Sequence, residues 1–367
     1  MSFPTVGVIG AGQLARMMVA PATELGITLK LFAASADDSA AQVCEFTVGD
    51  YNDLEAVLHF AQGCDLITFE HELVPQSIIR SLESHGVKVY PKADSFIYSQ
   101  DKLAMREKMA ELGLPNPRFE KYLGGAPTLQ FSLIAKSPSG GYDGRGVWVI
   151  NSQSELDALP TPLLLEEKLS FTREIAVMVA RSPHGQASTW SPTWTVQRDG
   201  ICTTTVTPVP ELSDDLSIKA SSIALKIAEG IDLVGVMAVE LFQVGGEFII
   251  NELALRPHNS GHWSIEGSVT SQFEQHLRAI LDLPLGDTSR TSDWAVMGNM
   301  LGGDYPDMYR PYLHLMARNP RLKFHHYRKE VKPGRKIGHV TLLGSDLVEL
   351  RQEVDHAIDY LSGAIDE

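Results

Sequence analysis

The opening residues constrain this chain most. A β-branched run, Thr5–Ile9, turns through Gly10-Ala11-Gly12 into a helical pattern over 14–25 that Gly26 closes. Strand, glycine turn and helix in succession make the first half of a βαβ unit, which needs a parallel strand beside the first. Residues 27–32 supply it, 53–60 read as the next helix, and 65–69 as a third strand ending in Glu70 and Glu72. The expectation is an α/β chain whose first hundred residues form a parallel, doubly wound sheet.

Past a helix at 101–112, stopped by Gly113 with Pro115 and Pro117 beyond it, the pattern becomes strand-rich. Residues 133–136, 146–150, 163–166 and 174–180 read as strands, 217–229 as a helix, and 234–242 with 247–253 as a strand pair about Gly245-Gly246. From about Arg290 the tail carries short strands near Lys323 and Ile337. A closing amphipathic helix then presents Leu347, Leu350, Val354, Ile358 and Leu361 on one face. The 367 residues suit two or three domains, and 31 Lys+Arg against 46 Asp+Glu give a net charge of −15, which argues against a nucleic-acid backbone as partner. Cys44, Cys64 and Cys202 show no metal-binding spacing, there is no basic leader, and no window reaches the length of a membrane span; the expectation is a cytoplasmic protein with no membrane partner.

Several segments can carry chemistry. Gly10-x-Gly12-x-x-Ala15 meets most of a dinucleotide fingerprint, but the acidic residue expected at the end of the second strand is missing from 31–35, and Asp37 and Asp38 come late. A mononucleotide phosphate or a purely structural turn remain. The stretch 139–146 packs four glycines into eight residues after the strand ending in Lys136; it reads as a loop over a triphosphate or as a flexible hairpin tip. Glu166-Glu167-Lys168-Leu169, with Glu174 beyond, reads as an adenine-holding hinge or a solvated charge cluster.

Glu240 and Glu252 are the sharpest anomaly, because unpaired carboxylates are costly in apolar strands. A two-residue turn at Gly245-Gly246 puts Glu240 opposite Asn251, whereas a three-residue loop with a bulge puts it opposite Glu252. Either way the acids call for Mg²⁺ or for a neutralising Arg or Lys. Downstream, Arg256-Pro257-His258-Asn259-Ser260-Gly261-His262-Trp263 suits a small planar oxyanion, and the basic run Lys329 to Lys336 suits a phosphate or a solvated face.

The strings GAGQLARM (10–17), TFEHELVP (68–75), QDK (100–102), GGYDGRG (140–146), NELALRPHNSGHW (251–263), TSQFEQHLRA (270–279) and KPGRKIGH (332–339) run through nearly the whole chain. With them the sequence resembles the ATP-grasp enzymes, most closely the 5-(carboxyamino)imidazole ribonucleotide synthetases of purine biosynthesis. The resemblance implies a Rossmann-like pre-ATP-grasp domain over 1–98, an ATP-grasp domain over 99–290 with its lid at about 118–178, and a small C-terminal domain over 291–367. It implies that Lys102 and Lys136 contact ATP phosphates under a loop of Gly141, Tyr142, Asp143, Gly144, Arg145 and Gly146. Glu166, Glu167, Lys168 and Leu169 would hold adenine, Glu174 the ribose, and Gln197 and Asn251 would lie beside the nucleotide. Glu240 and Glu252 would bind Mg²⁺, two ions with ATP, and Glu252 would also face the nucleotide.

By the same resemblance Arg256, His258 and Asn259 form a bicarbonate pocket, and with Asp143 and Lys329 they make the catalytic set. Gln13, Leu14, Glu70, Arg335 and Lys336 would join Asp143 and Lys329 around 5-aminoimidazole ribonucleotide. The implied reaction carboxylates the 5-amino group of that ribonucleotide through carboxyphosphate, in a homodimer. Two departures stand out: Thr195-Val196-Gln197 occupies the place of the family's usual Asn-x-His before Asp199-Gly200, and Lys136-Ser137-Pro138-Ser139 is less basic than usual. The competing readings are a formate-using glycinamide ribonucleotide transformylase, an NAD-binding oxidoreductase and a non-catalytic nucleotide-binding regulator.

Overall fold

The computed structural model of the chain describes residues 3–140, 146–198, 200–303 and 308–365. The first unit follows the expected alternation: β1 (Thr5–Ile9), α1 (Gln13–Glu24), β2 (Thr28–Ala33), β3 (Phe46–Val48), α2 (Leu54–Ala61) and β4 (Leu66–Phe69). The strands pair in parallel in the order β3-β2-β1-β4. Val6, Val8, Leu31, Ile67 and Phe69 are fully buried, as apolar strands covered on both faces require. The helices α3 (Gln76–Ser84) and α4 (Ala93–Gln100), which the sequence pattern did not reveal, lead to α5 (Lys102–Glu111). Asp101 caps α5 by accepting the Leu103 and Ala104 N–H groups.

A small antiparallel sheet follows in the order β5-β8-β6-β7, built from β5 (Phe119–Tyr122), β6 (Leu133–Lys136), β7 (Val147–Ile150), α6 (Gln153–Asp157) and β8 (Leu163–Glu167). The main sheet begins with β9 (Arg173–Arg181), β10 (Ala187–Thr189), β11 (Thr193–Arg198) and β12 (Ile201–Thr207). It continues, around α7 (Asp214–Gly230), with β13 (Gly235–Val244) and β14 (Glu247–Ala254). Helices α8 (Ser264–Gly267) and α9 (Gln272–Ile280) precede β15 (Trp294–Leu301), α10 (Tyr309–Arg318), β16 (Lys323–His326), β17 (Lys336–Gly344) and α11 (Leu347–Ser362). The sheet order β14-β13-β9-β11-β12-β15-β17-β16 runs across residue 290 without a break, since β12 pairs with β15. The C-terminal strands thus extend the central sheet.

Two shared cores fix how the units meet. Phe69 and Phe96, stacked at 4.7 Å, belong to one cluster with Val177, Met237, Val239 and Leu253 of the central sheet. Phe273, Leu277 and Ile280 of α9 sit among Val6, Val8 and Leu31 of the first sheet. Burying side chains of this size stabilises by roughly 1.5–3 kcal/mol each, so the junction is packed like an interior. Among the described residues no helix is long and apolar enough to cross a membrane.

Candidate active site

A cavity of about 1580 Å³ opens where the three units meet. Its lining includes Gln13, Leu14, Glu70, Lys102, Lys136, Glu166, Glu167, Lys168, Leu169, Glu174, Gln197, Glu240, Asn251, Glu252, Arg256, His258, Asn259, Lys329, Arg335 and Lys336. Gly141, Tyr142, Asp143, Gly144 and Arg145 lie outside the described residues. Gly146 is off the lining; at φ +75° it closes the base of the loop, its carbonyl accepting the Ser137 N–H at 2.9 Å.

The register of β13 and β14 resolves the two alternatives in an unexpected way. The turn is the two-residue one, Val244 facing Glu247, yet Glu240 still faces Glu252 because the ladder slips between Glu240 and Leu241 and leaves Asn251 without a partner. The bulge sits in the strand, not in the loop. Asn251 and Glu252 both line the cavity.

Arg106, absent from the expected site, holds that bulge. Fully buried on α5, its NH1 and NH2 donate to the carbonyls of Ile250 and Asn251, both at 2.7 Å. Its Nε donates to Glu166 Oε1 at 2.6 Å, Lys136 Nζ lies 2.9 Å from Glu166 Oε2, and Lys136 reaches Asn251 Oδ1 at 3.2 Å, which closes a ring. Burial opposes the charge on Glu166, but Arg106 and Lys136 together hold its carboxyl below the usual range. Burial lowers the Lys136 ammonium in turn, against the pull of Glu166. The Glu166 carboxylate is thus engaged with Arg106 and Lys136, and it positions the Lys136 ammonium. Glu167 is similarly spent on Arg118, at 2.8 Å to both its main-chain N–H and its Nε. What this hinge offers a base is main chain, beside apolar walls from Ile134, Val147, Val149 and the stacked pair Phe171–Phe242.

Lys102 Nζ donates to the Gly140 carbonyl at 3.0 Å and lies 3.3 Å from Glu252 Oε1, tying the start of the glycine loop to the acidic pair. Glu240 is pushed up to about 8 by burial, then by Glu252 and Glu174. Facing carboxylates, one of them driven toward its neutral form, suit a hard divalent cation. No three His, Cys, Asp or Glu among the described residues form a cage, so phosphate oxygens would have to complete the shell. Burial also raises Glu174, whose Oε2 accepts from Gln197 Nε2 at 3.4 Å.

Arg256 Nε donates to Glu72 Oε2 at 2.8 Å; burial works against the guanidinium charge and Glu72 more than restores it. Glu72 was not among the expected site residues, and its other oxygen, Oε1, is buried without a hydrogen bond. His258 is pushed down to about 3 by burial and Arg256, so near neutral pH its imidazole is uncharged; Nδ1 sits 2.9 Å from Ser260 Oγ and Nε2 3.6 Å from Glu240 Oε1. Asn259 exchanges two 2.8 Å amide bonds with Asn299, another residue the sequence did not single out.

At the far end the glycine turn packs against the chain itself. The N-terminus of α1 receives Glu70, whose Oε1 accepts the Leu14 N–H at 3.2 Å, and a Cβ on Gly12 would fall 2.3 Å from that oxygen. Gly12 leaves room for a carboxylate of the chain itself. Burial pushes Glu70 up to about 6. Gln13 Oε1 accepts from Lys329 Nζ, which also lies 5.9 Å from the Tyr327 ring centre, and Arg335 and Lys336 line the same end.

Comparison with known proteins points to one family. Residues 3–100 match the ribonucleotide synthetase preATP-grasp domain, 109–273 the ATP-grasp domain, and 295–353 the phosphoribosylaminoimidazole carboxylase C-terminal domain. The N5-carboxyaminoimidazole ribonucleotide synthase of Corynebacterium ammoniagenes is 43% identical over 382 residues, covering 98% of this chain and 92% of that protein. The crystal structure of the Thermus thermophilus synthetase superposes with a TM-score of 0.87 at 34% identity over 99% of both chains. The Aspergillus clavatus enzyme, solved with ADP and 5-aminoimidazole ribonucleotide, gives 0.89 at 30% identity over 99% of this chain and 100% of that one. The chain belongs to the N5-carboxyaminoimidazole ribonucleotide synthase family of ATP-grasp ligases.

Proposed function

We propose that this chain carboxylates the 5-amino group of 5-aminoimidazole ribonucleotide in purine biosynthesis, using ATP and bicarbonate. The observation that carries this reading is the continuity of the cavity. Its acidic pair with two lysines, its Arg256 seat and its Lys329–Lys336 end open into one space. An anion activated at one end can therefore meet an amine at the other before water does.

Lys102 and Lys136 are the residues for the ATP phosphates, and Glu240 with Glu252 for Mg²⁺, which when bound offsets the charge on the transferring phosphoryl group. Arg256, held planar against Glu72, presents its fork to bicarbonate. A bicarbonate oxygen attacks the γ-phosphorus, the bond to the β-phosphate oxygen breaks, and ADP leaves carboxyphosphate behind. The amine nitrogen then attacks the carboxyl carbon; the C–O bond to phosphate breaks, and the proton lost by the amine leaves on the departing inorganic phosphate, yielding the carbamate. Because His258 is neutral, it meets the bicarbonate as a hydrogen-bonding group and adds no charge. Lys329, Arg335 and Lys336 are the cations for the ribonucleotide phosphate. The assembly read with this function is a homodimer.

Isotope transfer tests the reading. With MgATP and the ribonucleotide present, carbon label from bicarbonate is expected in the ribonucleotide product, and label from formate is not. Transfer from formate instead would assign the chain to the formate-using ligases.

A further inference from the structure

The residues assigned to bicarbonate hang on a segment, Arg256 to Ser260, with little regular structure of its own, so something outside it must fix its shape. We infer that Gln272, a fully buried residue of α9, is the positioning residue for this segment: its side-chain amide serves His258 as a one-residue strand partner. The inference rests on the bicarbonate role proposed above.

His258 is extended, at φ −130° and ψ 155°, with no neighbouring strand assigned to it. Gln272 takes that place. The His258 N–H donates to Gln272 Oε1 at 2.8 Å, and Gln272 Nε2 donates to the His258 carbonyl at 2.8 Å. One amide thus engages both main-chain groups of the residue between Pro257 and Asn259, the carbonyl accepting the Gly261 N–H at 3.0 Å as well, and so fixes the direction of the His258 side chain. The second Nε2 hydrogen faces His262 Nδ1 at 3.0 Å, which requires the lone pair on that nitrogen and keeps the amide from turning over. The backbone is close enough that a Cβ on Gly261 would lie 2.7 Å from Gln272 Oε1.

The helix beneath is itself pinned. The Gln272 N–H donates to Ser264 Oγ at 2.9 Å, and Ser264 Oγ donates to the Gly261 carbonyl at 2.6 Å. Further along, the Gln275 amide grips Gly286 through both its groups, and His276 accepts the Val236 N–H at 3.2 Å while its Nε2 meets Thr68 Oγ1 at 2.9 Å. Helix α9 is therefore a polar strut between the first sheet, the central sheet and the oxyanion segment, and Gln272 is the arm that reaches the chemistry.

Two substitutions and one exchange measurement test this. Gln272→Met keeps the volume and removes both bonds; Gln272→Glu keeps the acceptor and removes the donor. For variants that retain wild-type MgADP affinity, the KM for bicarbonate should rise, or kcat/KM for bicarbonate fall, by about 10- to 100-fold for Met and less for Glu. The KM values for ATP and for the ribonucleotide should change little. In the unsubstituted protein the His258 amide should exchange with deuterium as slowly as the amides of β13. An unchanged kcat/KM for bicarbonate in a variant that binds MgADP normally, or fast exchange at His258, overturns the inference. If the wild-type enzyme shows no bicarbonate-dependent ADP release, the functional reading fails instead, and the exchange result still decides whether Gln272 holds the segment.

Discussion

Glu70 shows how one residue reports on the fold. A glycine turn before a helix reads as a phosphate seat or as a structural turn, and a carboxyl of the same chain, 56 residues away from Leu14, packs into it. Its pKa of about 6, against an ordinary 4.5, means that the folded state binds the proton more tightly. Glu70 therefore costs nothing below about pH 4.5 and opposes folding increasingly as pH rises through 6, by up to about 2 kcal/mol. Glu70→Gln keeps an acceptor for the Leu14 N–H, so scanning calorimetry should show its midpoint raised by a few degrees at pH 8 and unchanged at pH 4.5. The same shift at both values would mean that the charge is not the cause. Glu240 and Glu252 were legible because carboxylates in apolar strands are anomalous wherever they occur. Glu72 was not, because its partner Arg256 is 184 residues away and nothing local marks the pair.

At the scale of elements, the alternation of the first sheet was legible because each strand is a short apolar run bounded by turn residues. The bulge at Asn251 was half legible. Both registers were on the page, but a turn signal fixes only the turn, and what displaces the ladder is a guanidinium from α5 that takes the two carbonyls. Arg106 did leave a trace: it shares the inward face of α5 with Met105 and Met109, where a charge is out of place. Strands β12 and β15 escaped because they are buried along nearly their whole length and show no alternation, β11 because it buries its threonines rather than its apolar residues, and helix α10 because Pro311 interrupts its pattern. Arg106→Met should cost about 3–5 kcal/mol in urea unfolding, because Glu166 loses one of its two cations in a buried setting. The same variant should bind MgADP more weakly, since Lys136 and Asn251 lose their shared anchor. A stability loss with unchanged nucleotide affinity would reduce Arg106 to a packing role.

At the scale of the whole molecule, the three units are one working body: the first sheet supplies Glu70 and Glu72, the central sheet the acidic pair, and the tail the cations. The strings carried enough to place nearly all of the candidate site, because motifs survive where the chemistry is local. They did not show the joint core or the sheet running across residue 290, since both depend on pairs far apart in sequence. The central claim is that two anions and an amine meet in one cavity, and ADP release measures it most directly. Purified protein with MgATP should release ADP fastest when bicarbonate and 5-aminoimidazole ribonucleotide are both present, and slowly when either is withheld from bicarbonate-depleted buffer. Release that ignores both would contradict the account, leaving an ATP-grasp nucleotide site with a different acceptor.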